Sequence, residues 1–259
     1  MKELQAQTIE MYSKQLRTPM FNNYVDVIRQ LNKNQGYEYF LIQLMKLELD
    51  SRQESTRKRK IKVASFPYIK TMDELDFSRF EHMDEAFLKE LASCDFVTKK
   101  QDIVMIGNPG TGKTHLSIGL GVKACMQGMN VKFYTAANHR LVRLEKQISK
   151  ADLLIIDKLS YLTFNRHQSE LLFKVVADRA ERKSVIVSTN LRFSEWTTMF
   201  ENQTMVTALI DRLTFRSHVL NMNSDNPYRA EHAAVVSDEY SCAAEPRFRC
   251  GVSHLSGTS

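Results

Sequence analysis

The stretch Asp102-Ile-Val-Met-Ile-Gly-Asn-Pro-Gly-Thr-Gly-Lys-Thr114 decides the fold of this chain. Four apolar residues precede Gly107, and four more residues separate it from Gly112-Lys113-Thr114, which is the phosphate-binding P-loop pattern. The pattern stands between a strand signal and a helix signal, so the loop N–H groups and the positive end of the helix can both face phosphate oxygens. A chance glycine-rich turn would not match every fixed position. We therefore predict a nucleotide-binding loop made of Gly107, Asn108, Pro109, Gly110, Thr111, Gly112, Lys113 and Thr114.

The same pattern predicts a magnesium site. In P-loop proteins the lysine reaches the β- and γ-phosphates, while the hydroxyl after it and an acidic residue on a neighbouring strand hold Mg²⁺. The apolar run 153–156 ends in Asp157, which supplies that acidic residue. Thr114 and Asp157 are thus the predicted Mg²⁺ ligands, and Lys113 and Asp157 are predicted to act in catalysis.

Lys158 stands where ATP hydrolases of this kind normally have a glutamate that activates the attacking water. An ammonium group cannot accept the proton of that water near neutral pH. Its side chain could pair with Asp157, crowd the Mg²⁺ site, or extend into solvent while another carboxylate helps. The sequence therefore predicts ATP and Mg²⁺ binding and leaves hydrolysis open.

Two further polar residues are candidates for the catalytic site. Asn190 follows the strand-like run 185–189 and is placed to hydrogen-bond the γ-phosphate or the water, although asparagine is also a common turn residue. Arg212 is a candidate arginine finger that would act on the nucleotide of a neighbouring subunit, or it forms an ion pair near its own helix.

Strand and helix signals alternate through the middle of the chain. Strand-like runs are predicted at 103–106, 131–135, 153–156, 184–189 and 218–222, and helical periodicity at 116–124, 141–148, 171–182 and 206–213. Such alternation indicates βαβ units. We therefore predict an α/β fold with a parallel sheet flanked by helices.

Residues 1–66 show helical periodicity and a basic balance, with 12 Lys and Arg against 7 Asp and Glu. The basic residues are densest at Arg57, Lys58, Arg59 and Lys60. Such a run is often only a solvated helix face. Its functional interpretation is contact with the phosphate backbone of duplex DNA, without reading of the base sequence.

Composition and the residues that end helices and strands predict the organisation of the chain. A basic helical domain at 1–66 is followed by a nucleotide-binding domain at 67–232 and a polar tail at 233–259, which we expect to be disordered. No apolar run approaches the roughly 20 residues of a membrane span, and the N-terminus lacks a signal-peptide core, so we expect a cytoplasmic protein without membrane contact. The four cysteines show no metal-ligand spacing.

Several stretches taken together resemble the IstB family. They are the P-loop through His115, 153–157, Tyr161-Leu162, Glu170-Leu-Leu-Phe173, Ala177-Asp-Arg179, Ser188-Thr-Asn190, Phe193-Ser-Glu-Trp196 and Asp211-Arg-Leu-Thr214. This family comprises AAA+ ATPases of the ASCE type, which are encoded beside the transposase of bacterial insertion sequences and are related to the DnaC helicase loaders. The resemblance implies a small helical domain on an AAA+ core, and a homo-oligomer that assembles on duplex DNA and delivers the cognate transposase. It also implies that Arg212 is the arginine finger and Asn190 the sensor residue.

Three features depart from the family pattern: Lys158 replaces glutamate, the segment between Asn138 and Arg143 is about ten residues short, and the tail after Ala233 has no counterpart. Three functions therefore remain open. The basic helices and the Ser-Glu-Trp motif favour a transposition helper over a replicative helicase loader. Lys158 keeps a hydrolysis-deficient, nucleotide-gated DNA clamp in consideration.

Overall fold

A computed structural model describes residues 2–32, 36–74, 85–136, 145–161, 164–200 and 202–223. Contacts between residues divide the chain into two compact units, 1–62 and 63–259. The domain boundaries at 66 and 232 stay predictions. Within the described ranges, no helix combines the length and apolar character that crossing a bilayer requires.

The first unit is helical. It contains α1 (Lys2–Leu16), α2 (Tyr24–Gln30) and α3 (Tyr37–Ala64), whose last two residues belong to the second unit. Val27 and Leu44 are its buried apolar side chains. Buried Glu48 accepts hydrogen bonds from Met20 N at 3.1 Å and from Arg52 Nε at 2.7 Å. The carboxylate thus ties α3 to the turn after α1.

The second unit is built on a five-stranded parallel sheet with strand order β2-β3-β4-β1-β5. The strands are β1 (Asp102–Ile106), β2 (Val131–Thr135), β3 (Leu153–Asp157), β4 (Ser184–Thr189) and β5 (Ser217–Asn221). Every residue of β3 and β4 is buried, which explains why their apolar residues, at 153–156 and 185–187, are consecutive and do not alternate with polar ones. The P-loop follows the strand between β4 and β5. This topology, preceded by helices, confirms the predicted α/β AAA+ fold.

The helices of this unit are α4 (Glu85–Ala92), α5 (Asp95–Thr98), α6 (Lys113–Met126), α7 (Glu145–Lys150), α8 (Arg166–Arg179) and α9 (Gln203–Thr214). Helix α8 begins five residues before the predicted 171 because Asn165 caps it, with Gln168 completing a capping box. It ends at Arg179 rather than 182, since Ala180 is extended and Glu181 has φ +60°.

A buried arginine joins α8 to the sheet. Arg179, 3% exposed, donates hydrogen bonds from Nη1 to Ile148 O and Ala151 O, and from Nη2 to Asp152 O and Ser184 O, all between 2.8 and 3.1 Å. Burial lowers the pKa of this guanidinium to about 10. Ile148 lies in the last turn of α7, Ala151 and Asp152 directly precede β3, and Ser184 is the first residue of β4. One side chain therefore fixes where both strands begin.

The segment before the sheet packs closely on α6. The Phe66 ring lies 5.8 Å from that of Phe133, and a Cβ on Gly121 would stand 2.8 Å from Phe66 Cε1 and 2.7 Å from Ile155 Cδ1. Lys132 Nζ donates to Val63 O at 2.8 Å and to Ser65 Oγ at 3.2 Å. A side chain at 121 would therefore displace Phe66 and Ile155.

Several predictions lie outside the described residues. They concern the shortened segment after Asn138, the helical positions Leu141 and Leu144, part of the connector at 75–80, Leu162 of the Tyr161-Leu162 motif, and the tail after Ala233.

Candidate nucleotide-binding site

The P-loop has the backbone conformation that its glycines predict. Gly110 and Gly112 have φ of +88° and +87°, a region that residues with a Cβ rarely enter. Gly107 is needed for a different reason, because a Cβ there would lie 3.1 Å from Met222 Cβ, just after β5. Asn223 Oδ1 accepts a hydrogen bond from Asn108 N at 2.7 Å. The beginning of the loop is thus held by the chain that follows β5.

Lys113 lies inside the loop. It is 7% exposed, and its Nζ donates to Gly107 O at 2.5 Å and to Asn108 O at 2.8 Å. Burial lowers the pKa of this ammonium group to about 8, although the charge of Asp157 acts in the opposite direction. A buried cation ringed by loop carbonyls is suited to bind phosphate oxygens, which would give it charge-assisted hydrogen bonds.

Thr114 and Asp157 are brought together, as predicted. Thr114 Oγ1 lies 3.0 and 3.1 Å from the two carboxylate oxygens of Asp157, which is 2% exposed. Mg²⁺ prefers hydroxyl, carboxylate and phosphate oxygens in an octahedral arrangement. This donor pair beside the phosphate loop fits that ion, and Thr114 and Asp157 are the residues that would hold it.

Lys158 directly follows this carboxylate, and the residue is exposed. Its backbone has φ +59°, which is unusual for a residue other than glycine, and its N–H donates to Ser188 Oγ at 2.9 Å. The hydroxyl of Ser188 in turn donates to Asp157 Oδ1 at 2.5 Å. Which of the three alternatives the Lys158 side chain adopts stays a prediction.

Asn190 lies at the carboxyl end of the sheet. Its backbone N–H donates to Ser160 Oγ at 2.9 Å. The residue lines a cavity of about 300 Å³ above the ends of β1, β4 and β5, together with Asn108 of the P-loop and Glu195. Asn190 therefore shares a cavity with the first part of the loop, and its contact with the γ-phosphate or the water stays a prediction.

The structure does not bring Arg212 to the P-loop of its own chain. Arg212 lines a second cavity with Asp102, the first residue of β1, whereas the P-loop follows the last. A strand of five residues spans roughly 15 Å, so the two features lie at opposite ends of the strands. The guanidinium lies 4.8 Å from the ring centroid of Phe173, and Nη1 donates to Ala208 O at 3.0 Å. The action of Arg212 on the nucleotide of a neighbouring subunit stays a prediction.

The predicted DNA-binding residues lie on α3. Arg57, Lys58 and Arg59 are exposed and Lys60 is half-buried, and Lys58 Nζ pairs with Glu54 Oε1 at 2.6 Å. An α-helix has 3.6 residues per turn, so four consecutive side chains point in four directions. One straight duplex cannot contact all four equally.

Two neighbours of the site were missed by the sequence reasoning. Ser188 enters the sequence analysis only as part of a strand and of the stretch Ser188-Thr-Asn190, and neither indicates a contact with Asp157. Tyr68 stands edge-on to His115, with ring centroids 5.5 Å apart. Burial, with a smaller effect of the Asp157 charge, raises the pKa of Tyr68. Its position as an aromatic residue directly after Phe66-Pro67 is the sequence feature that could have indicated this contact.

Comparison with known proteins identifies the relatives of this chain. The sequence pattern of the family of IstB-like ATP binding proteins matches residues 14–235. A protein of Pseudomonas aeruginosa described as an ATP-binding protein of insertion sequence IS21 is 33% identical over 205 residues, which cover 75% of this chain and 77% of that protein. A Geobacillus stearothermophilus protein described in the same way for insertion sequence IS5376 is 34% identical over 206 residues, covering 74% and 81%.

Solved structures that this chain is similar to include DnaI and the DnaC helicase loader. The DnaI structure has a TM-score of 0.48 and 14% identity, covering 68% of this chain and 100% of that one. The DnaC helicase loader has a TM-score of 0.45 and 14% identity, covering 63% and 98%.

Proposed function

The chain belongs to the family of IstB-like ATP binding proteins of insertion sequences, and from that premise we propose that it binds ATP with Mg²⁺ at the P-loop. We further propose that subunits assemble on duplex DNA in the cytoplasm and recruit the cognate transposase to it. The observation that carries the nucleotide part is the contact between Thr114 and Asp157 beside buried Lys113. Two oxygen donors and one cation then converge where the phosphates and their ion would lie.

We propose the following roles for the residues of the site. Lys113 and the loop N–H groups bind the phosphates, while Thr114 and Asp157 hold the ion, which supplies charge neutralisation on the β- and γ-phosphates when bound. Asn190 faces the γ-phosphate from the shared cavity. Arg212 acts on the nucleotide of a neighbouring subunit, because its own P-loop lies at the opposite end of the strands.

Titration calorimetry with ATP tests the nucleotide site. Lys113→Ala removes charge-assisted bonds worth about 1.5–3 kcal/mol each, so affinity should fall at least tenfold. Lys123→Ala, an exposed lysine on the same helix, is the matched control and should bind as the wild type does. Equal affinity of the two variants would contradict the P-loop assignment.

Paired substitutions test the DNA surface, since α3 presents its cations in different directions. Arg57 and Lys60 share one side of the helix, and Lys58 and Lys62 share another. Neutralising the pair that faces DNA should weaken binding to unrelated duplexes alike and flatten the salt slope by about 0.9 per lost contact. The other pair serves as the control. If neither pair changes the slope, the DNA surface lies elsewhere.

Subunit assembly and partner choice are tested separately. Native mass spectrometry with ATP and a short duplex should show oligomers that the Lys113→Ala variant does not form. Immobilised protein should then retain the transposase encoded beside it in preference to the host replicative helicase. The reverse preference would favour the helicase loader.

Exposed Lys158 supports a second candidate, a nucleotide-gated clamp that stays on DNA because hydrolysis is slow. A positioned general base contributes about 10²–10⁴ in rate, and a lysine cannot supply it. Lys158→Glu should therefore raise phosphate release and shorten the residence time on DNA. If the wild type already hydrolyses ATP as fast as the variant, Lys158 is a bystander and the clamp is ruled out.

A further inference from the structure

Ser188 joins the end of β4 to the end of β3 at the predicted ion site. Its hydroxyl donates to Asp157 Oδ1 at 2.5 Å and accepts from Lys158 N at 2.9 Å. Ser188 is 1% exposed, the bond to Asp157 is buried, and the bond from Lys158 N is partly buried. One hydroxyl therefore contacts the proposed Mg²⁺ ligand and the backbone of the following residue at once.

The donated bond fixes the carboxylate. Thr114 Oγ1 contacts both oxygens of Asp157 from α6, and the Ser188 bond engages Oδ1 from the neighbouring strand. A carboxylate held from two elements cannot rotate freely before an ion arrives. Groups that hold a metal ligand in this way tune metal affinity without touching the metal.

The accepted bond fixes the backbone at Lys158. This residue has φ +59°, a conformation that is unfavourable for residues other than glycine. The bond from Lys158 N to Ser188 Oγ holds that conformation, and the backbone conformation sets the direction of the side chain at 158. The position that follows the ion ligand is thereby linked to β4.

We propose that Ser188 is a positioning residue that pre-orients Asp157 for Mg²⁺ and links this carboxylate to the backbone at position 158. The inference rests on the proposed binding of ATP with Mg²⁺. It assigns to Ser188 a part of the ion affinity and none of the direct contacts to phosphate.

The test compares ATP affinity of the full-length chain in EDTA with that in Mg²⁺, measured by calorimetry. Loss of a residue that supports a metal ligand typically lowers metal affinity 10–100-fold. In Ser188→Ala the gain in ATP affinity on adding Mg²⁺ should therefore shrink about tenfold or more, while affinity in EDTA should stay within about twofold of the wild type.

Ser184→Ala is the matched control. Ser184 lies on the same strand, is fully buried, and donates its hydroxyl to Phe96 O at 3.2 Å, on the other side of the unit from the ion site. It should leave the Mg²⁺ gain unchanged. In an Asp157→Asn background, Ser188→Ala should have no additional effect, because the group it positions is already lost.

Three outcomes overturn the inference. An unchanged Mg²⁺ gain in Ser188→Ala, or an equal loss of affinity in EDTA and in Mg²⁺, would leave Ser188 with a packing role alone. An effect that adds fully to that of Asp157→Asn would mean that it acts through another group. If the wild type binds ATP neither in Mg²⁺ nor in EDTA, the proposed function itself fails, and this result differs from the other three.

Discussion

Arg179 is the best place to test how this fold is held together, because one side chain satisfies four backbone acceptors. We predict that Arg179→Met strongly destabilises the second unit. Hydrogen bonds from a charged donor are each worth about 1.5–3 kcal/mol, so the four bonds give a gross gain of roughly 6–12 kcal/mol. Burial of the charge opposes this gain. The fall in the pKa of Arg179 from about 12.5 to about 10 corresponds to about 3 kcal/mol.

The net cost of the substitution follows from these two terms. Water that enters beside the shorter methionine will satisfy some of the orphaned carbonyls, so the loss should lie near the low end of the difference, about 3–5 kcal/mol. For a unit of this size, that loss lowers the melting temperature by roughly 10 °C.

Urea unfolding followed by circular dichroism measures the effect directly. Arg182→Met is the matched control, because Arg182 lies three residues further along and is exposed. It should change stability by less than about 0.5 kcal/mol. If both variants lose the same small amount, the four hydrogen bonds contribute little net stability and the reasoning is refuted.

Three other perturbations have defined outcomes. Burial raises the pKa of Asp102 to about 7, so its contribution to stability is greatest below about pH 4 and is lost as the pH rises towards 7. In unfolding titrations, the free energy of unfolding of Asp102→Asn should therefore increase relative to that of the wild type by up to about 2 kcal/mol between pH 5 and 7. A difference that shrinks with rising pH would refute this. Gly121→Ala should cost about 1–3 kcal/mol by overpacking, seen as a lower melting temperature, unless the Phe66 ring moves away freely. Lys132→Met should lower the unfolding free energy by about 2 kcal/mol through loss of the bonds to Val63 and Ser65, whereas Lys123→Met on the exposed face of α6 should not.

Local sequence patterns were sufficient for the strands and for the phosphate loop. Predicted strands 131–135 and 184–189 have the bounds of β2 and β4, because both segments are rich in β-branched and aromatic residues. Asp157 could be placed because it follows such a run. The start of α8 was missed although Asn165 and Gln168 form a capping box, a signal that the sequence does contain.

The partners of buried polar groups could not be predicted in the same way. The roles of Arg179 and Ser188 depend on which strands are neighbours, and strand order is a property of the whole sheet. The basic run shows the same limit, since its four cations look like one patch in the sequence and diverge around α3 in the structure. The position of Arg212, at the end of the strands opposite the P-loop, likewise depends on how α9 connects to β5.

The close approach of Phe66 to the α-carbon of Gly121 also has a consequence for how related sequences can diverge. A methyl group at 121 is compatible only with smaller or displaced side chains at 66 and 155, because it would stand 2.8 Å from Phe66 Cε1 and 2.7 Å from Ile155 Cδ1. Among relatives, these three positions should therefore vary together: a large aromatic residue at 66 should accompany glycine at 121, and alanine or serine at 121 should accompany smaller residues at 66 and 155. A sequence in which only one of these positions has changed would encode a less stable protein, so these positions should change slowly in evolution.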